Sequence, residues 1–154
     1  MCARGNKIMK TEMKEKFASH AEWFRAAITE DVILCHTSAL ELLGMYNGFI
    51  DEKVIDVYAL EKGRYENIVY HIVDSFDSID TAIIFGVRCA SFEYTINDML
   101  GDLHNADLWA LTEALCNYYA RHNDSFDGLN ILPDNRNAFE SIKMDAIEYY
   151  NGGD

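Results

Sequence analysis

The spacing of apolar residues changes near residue 91, and this change divides the chain into a strand-rich half and a helical half. Before it, short β-branched and aromatic runs recur between turn residues, which is typical of strands. These runs predict five strands, at 32–35, 54–60, 68–73, 82–85 and 87–90. The last two strands are separated by Gly86 and predict a hairpin.

Helical spacing appears twice before residue 91 and dominates after it. Residues 11–29 carry apolar positions at intervals of three and four, which predicts an amphipathic helix. A helix of about ten residues is expected from Ser91, and Asp107 can cap the next one. A last helix is predicted at about 134–150, just after Pro133, the only proline.

A second, shorter helix in the first half is marked by residue types at its ends. Ser38 and Glu41 have the S-x-x-E spacing of a capping box, which predicts that the helix begins there. Gly44 suits the left-handed turn that ends a helix. Strands mixed with helices in this order predict an α/β (α+β) fold, a small mixed sheet with helices packed against it.

Length and composition indicate one globular domain. The chain has 154 residues, of which 49% are hydrophobic and 25% charged. We expect a flexible leader at 1–10, a single domain at 11–150 and a frayed tail at 151–154. The apolar runs are too short to span a membrane, and no secretory signal is visible, so a cytoplasmic location with reduced cysteines is expected.

Charge is the extreme property of this sequence. The net charge is −13, although the first 25 residues hold six basic and three acidic side chains. A body this negative repels phosphate, so direct binding of nucleic acid is not expected. The charge can serve solubility alone or attract a basic partner, and both interpretations stay open.

The sequence contains no recognisable catalytic, cofactor or metal motif. Cys35 and His36 are adjacent, and neighbours in a strand point to opposite faces, which is poor geometry for metal binding. The E-x-K sequence of restriction-type nucleases occurs only at Glu12–Lys14, on a predicted helix. Gly44, Gly48, Gly63 and Gly86 stand singly at turns, and the Gly152-Gly153 pair lies in the tail, so no phosphate loop is present in the sequence. We therefore predict no catalytic residue, no metal ligand and no cofactor.

Three blocks of the sequence resemble a known family. They are residues 35–45 (CHTSALELLGM), 86–100 (GVRCASFEYTINDML) and 105–119 (NADLWALTEALCNYY). In this order they are similar to the C-terminal domain of the AbiEi-like antitoxins of bacterial abortive-infection systems, over roughly residues 32–122. The motif positions, which we expect to be mostly structural, are His36, Ser38, Ala39, Leu40, Gly44, Glu93, Thr95 and Asp98.

The residues also suggest local roles for these positions. His36 is expected to be a hydrogen-bonding residue at the end of a strand, and Ala39 and Leu40 to be core residues. Glu93, Thr95 and Asp98 are expected to fix the corner between the last strand and the next helix.

The resemblance implies an antitoxin that acts with a nucleotidyltransferase-type toxin. Most members carry an N-terminal winged helix that represses the operon, and about 30 residues before the first block are too few for one. The family's E-R-T motif reads Glu93-Tyr94-Thr95 here, so a tyrosine replaces the arginine of that motif.

The leading hypothesis is a non-enzymatic, antitoxin-like domain that binds a protein partner. The alternatives are an acidic inhibitor or nucleic-acid-mimicking decoy, and a small hydrolase or nuclease. The hydrolase would require carboxylates or histidines gathered from separate elements into a pocket.

Overall fold

The computed structural model describes residues 24–47 and 54–151. The strands are β1 (Val32–Leu34), β2 (Ile55–Ala59), β3 (Ile68–Ile72), β4 (Thr81–Ile84) and β5 (Val87–Ala90). The helices are α1 (His36–Leu42), α2 (Phe92–Gly101), α3 (Leu108–Arg121) and α4 (Arg136–Tyr150). Short 3₁₀ turns at Leu103–Asn105 and Pro133–Asn135 precede α3 and α4. The predicted order of elements within the described residues is confirmed.

The five strands form one mixed sheet in the order β3-β2-β1-β5-β4. β1 runs antiparallel to β2 and parallel to β5, while β2 runs parallel to β3. β4 and β5 form the predicted antiparallel hairpin, which turns at Phe85 and Gly86 with φ of 53° and 81°. Positive φ at both central residues gives the turn a twist that matches the flanking strands.

Two apolar cores meet at α1. One face of the sheet is buried against α1 and the helical residues 24–27, with Leu34, Val57 and Ala39 in contact there. A second core lies among the helices, where Leu40 packs with the apolar faces of α2, α3 and α4. The predictions that Ala39 and Leu40 are core residues are therefore confirmed, and the two side chains serve different cores.

The start of α1 differs from the prediction. The helix begins at His36 with Cys35 at its N-cap, and it has no side-chain cap, so the capping-box prediction for Ser38 and Glu41 is wrong. The hydroxyl of Ser38 accepts a hydrogen bond from the Asp56 amide at 2.8 Å instead, and this contact ties α1 to β2. The end of the helix is as predicted, with Gly44 at φ +77°.

The caps of the later helices agree better with the sequence. Asp107 caps α3 by accepting from the amide of Ala110 at 3.0 Å, as predicted. Ser91 caps α2 through the amide of Tyr94 at 3.2 Å.

The predicted first helix continues to Ala27 in the described part, and its earlier residues, the leader and residues 152–154 lie outside the described residues. No helix in the described ranges has the length and apolarity needed to cross a membrane.

Candidate functional site

Polar side chains converge at one end of the sheet, on the face opposite the α1 core. We call them the polar cluster, which consists of Cys35, His36, Asp56, Tyr58, His71 and Asp98. They come from the end of β1, the start of α1, strands β2 and β3, and helix α2. The cluster therefore exists only in the folded chain.

The pleat of the sheet places the strand members of the cluster together. Asp56 and Tyr58 are two residues apart in β2, so both side chains point to the same face. The parallel register pairs Tyr58 with His71 of β3, which brings the histidine alongside. Cys35 follows β1 and packs with Tyr58 in a small buried group behind the cluster.

His36 occupies a strained position at the junction of β1 and α1. Its φ is +49°, in the left-handed region that residues with a side chain rarely adopt. The expectation that Cys35 and His36 point to opposite faces is wrong, because β1 ends at Leu34 and the backbone turns at His36. The strain brings the imidazole ring of His36 to the same site as the thiol of Cys35.

Two histidine–carboxylate pairs organise the cluster. The Nε2 atom of His36 lies 2.9 Å from Asp98 Oδ2, and the hydroxyl of Tyr58 donates a hydrogen bond to the same oxygen. The Nε2 atom of His71 lies 3.0 Å from Asp56 Oδ1. The two imidazole rings are 4.4 Å apart, so the pairs form one continuous network.

The ionisation of the cluster leaves a carboxylate at the surface and a neutral thiol beneath it. Burial by itself would raise the pKa of Asp98, but hydrogen bonds from His36 and Tyr58 outweigh it and hold that pKa below its ordinary value. Burial raises the pKa of Cys35 well above the ordinary range, and the nearby carboxylates of Asp56 and Asp98 raise it further. Burial also raises the pKa of Tyr58. At neutral pH the thiol and the phenol are therefore protonated.

Solvent reaches the cluster from the Asp98 side. The side chains of His36 and Asp98 are 25% and 40% exposed. A cleft of about 500 Å³ opens next to Asp98, between α2 and the turn at Pro133–Asn135, and Tyr94 lines it. A ligand or a partner side chain can therefore contact the carboxylate directly.

Some of the predicted motif positions lie in the polar cluster or contact it, and others lie elsewhere in the fold. His36 and Asp98 contact each other in the cluster. Ser38 is linked to the cluster because its hydroxyl accepts a hydrogen bond from the backbone amide of Asp56. Glu93 does not fix the corner after β5, because it accepts a hydrogen bond from the amide of Asn130, 2.8 Å away in the loop before α4.

The corner itself is held by Ser91. Its backbone amide donates to the Asp80 carbonyl, and its side chain caps α2. The buried hydroxyl of Thr95 has no hydrogen-bond partner among the described residues. The carboxylate of Asp98 interacts with His36 and Tyr58. The prediction of a corner role is therefore wrong for Glu93 and Asp98, whereas Thr95 is buried next to the corner and its backbone amide donates to the carbonyl of Ser91.

Sequence reasoning missed three members of the cluster, namely Asp56, Tyr58 and His71. A signal was present, because polar residues at 56 and 71 interrupt strands that are otherwise apolar. Their partners could not be identified from the sequence, since the parallel pairing of β2 with β3 is a property of the fold.

Part of the cluster has the composition of a metal site. Cys35, His36 and His71 each offer one ligand atom, and these atoms lie within 4.8 Å of one another. A thiol with two imidazoles is a donor set that zinc accepts. The objection to metal binding from strand geometry therefore no longer holds.

Comparison with known proteins adds no assignment. No protein-family model matches the chain, and no curated protein matches its sequence.

Proposed function

We propose that the chain is a non-enzymatic, antitoxin-like domain that binds a protein partner of the nucleotidyltransferase-toxin type through the polar cluster. One observation carries the proposal. His36 and Asp98 belong to the two sequence blocks with the strongest resemblance to antitoxins, and their side chains meet at 2.9 Å although they are 62 positions apart. The contact lies at a partly exposed site rather than in a core.

The protonation of the cluster favours recognition over nucleophilic catalysis. A catalytic cysteine needs a thiolate, and Cys35 is fully buried with its pKa raised. One oxygen of Asp98 already accepts hydrogen bonds from both His36 and Tyr58. That arrangement holds a fixed negative charge at the surface.

A fixed carboxylate within an acidic chain also indicates the chemistry of the partner surface. The net charge of −13 and the exposed part of Asp98 favour a basic contact. We expect Lys or Arg side chains of the toxin to lie against the Asp98 side of the cluster.

The test is co-expression with a nucleotidyltransferase toxin from the native genome, read out as recovery of growth and as co-purification. Asp98→Asn removes the charge with little change of shape and is expected to weaken rescue and binding by at least tenfold. Asp145→Asn is the matched control, because it removes the same charge at an exposed position of α4. Failure of the unmodified chain both to rescue and to bind would contradict the proposal, as would equal behaviour of the two variants.

A small hydrolase is the second candidate function, because histidines and carboxylates from separate elements do converge at one site. Hydrolysis of p-nitrophenyl phosphate or acetate by the purified chain would test it. The control is His104→Asn, because His104 is exposed in the turn before α3. A rate of hydrolysis that disappears in His71→Asn and persists in His104→Asn would favour the hydrolase over the binding domain.

A further inference from the structure

We infer that Cys35, His36 and His71 form a binding site for one divalent transition-metal ion of the zinc class. The inference is independent of the proposed function, because it concerns what the cluster binds within the chain rather than which partner the chain contacts. It starts from the mutual proximity of one thiol and two imidazoles, whose ligand atoms lie within 4.8 Å of one another.

The distances are close to those of a bound metal. Zinc–nitrogen bonds of about 2.0–2.1 Å and zinc–sulfur bonds of about 2.3 Å place tetrahedral ligand atoms about 3.3–3.6 Å apart. Because the present separations reach up to 4.8 Å, the ligand atoms need to approach one another by up to about 1.2–1.5 Å. Rotation of the His36 and His71 rings can supply this movement, since both side chains are partly exposed.

Carboxylates already orient both rings as they do in metal sites. Each Nε2 atom faces a carboxylate, Asp98 or Asp56, and this contact favours the tautomer that carries its proton on Nε2. In a neutral ring this leaves Nδ1 with the free lone pair. A histidine that binds zinc typically donates its other ring N–H to a carboxylate or carbonyl, which fixes the tautomer and raises the basicity of the ligand.

The backbone strain at His36 provides a further argument. Adjacent residues in a continuous strand cannot readily bind one ion, because their side chains diverge. The positive φ of His36 removes that obstacle, and strain of this kind accumulates at sites of ligand binding.

The donor set also indicates the metal. A soft sulfur with two imidazole nitrogens favours zinc over magnesium or calcium, which prefer oxygen ligands. Three protein ligands leave a fourth tetrahedral position for water or another ligand. Cobalt(II) has the same ligand preferences and serves as a spectroscopic probe of zinc sites.

The experiment is titration of the chelator-treated, reduced full chain with Co²⁺, followed by displacement with Zn²⁺. We expect one ion per chain, release of the Cys35 thiol proton to solvent as the metal binds, and a thiolate-to-cobalt charge-transfer band. Cys35→Ala and His71→Asn should abolish the band. Cys89→Ala should keep it, because Cys89 is equally buried on the opposite face of the sheet.

Two additions keep the test decisive. Asp56→Asn should retain the band but weaken metal binding by about 10–100-fold, since it only orients His71. His71 is part-buried on the edge strand β3, so His71→Asn tests the site even where Cys35→Ala fails to fold. A wild-type chain without the band, or a band that persists in folded His71→Asn, would overturn the inference.

Discussion

The left-handed backbone at His36 can be tested by replacing the residue with glycine and with alanine. Both replacements remove the imidazole ring together with its contacts to Asp98 and His71. The difference in stability between the two variants therefore isolates the backbone conformation. Only the presence of a Cβ atom distinguishes them.

The sign of that difference follows from the structure. At a φ of +49° a residue with a Cβ pays about 1–2 kcal/mol that glycine does not pay. Glycine loses more chain entropy on folding, which offsets about 0.5–1 kcal/mol of this advantage. The difference between these two terms spans about 0–1.5 kcal/mol, and we expect His36→Gly to be more stable than His36→Ala by roughly the middle of that range.

The neighbouring residue supplies the control. Thr37 is the second residue of α1 and has ordinary helical backbone, so there the order should reverse, with Thr37→Ala more stable than Thr37→Gly. Urea unfolding followed by circular dichroism gives all four free energies by linear extrapolation. A His36→Ala variant at least as stable as His36→Gly would refute the strained backbone and the geometric argument built on it.

Two further predictions concern a buried asparagine of α2 and a buried cysteine of β5. The side chain of Asn97 makes four hydrogen bonds, including one from the amide of Leu132. Because Asn97→Ala leaves these buried partners unsatisfied, it should lower the free energy of unfolding, measured in urea, by about 2–4 kcal/mol. The control is Asn105→Ala at an exposed turn, which should change the free energy of unfolding by less than about 0.5 kcal/mol. Equal destabilisation by Asn97→Ala and Asn105→Ala would contradict the role assigned to Asn97. Burial raises the pKa of Cys89 to about 11, so as pH rises towards 8 the thiol should stay protonated, and a disulfide reagent should label Cys89 only as the chain unfolds. Rapid labelling of Cys89 in the folded chain at pH 8 would show that it is accessible or ionised.

Much of the fold could be predicted because its helices, strands and turns depend on patterns of residues that are close together in the sequence. The β-branched and aromatic run of β2, the hairpin turn at Gly86 and the Asp107 cap each depend on a few neighbouring residues, and the structure contains all three. The capping box at Ser38 fitted the same kind of local rule and was wrong. There the amide of Asp56, from a different element, competes successfully for the hydroxyl.

The candidate site could be predicted only in part. His36 and Asp98 were identified through a resemblance, but the contact between them was not expected. Asp56, Tyr58 and His71 could not be added without the strand order, because adjacency of β2 to β3 is a long-range property. The role of Cys35 depended on a single backbone angle at the next residue, and a positive φ at the first residue of a helix is too rare to be predicted from a histidine there.

Three departures from local rules coincide at the polar cluster, although left-handed residues with side chains also occur in turns at Phe85, Asn123 and Asp124. A residue with a side chain occupies a left-handed position at 36, and polar residues at 56 and 71 replace the apolar ones that a buried strand face favours. A sequence selected for stability alone would be expected to place glycine at the first position and aliphatic residues at the other two. Because the three departures meet at one partly exposed site, their cost is best explained by what that site binds.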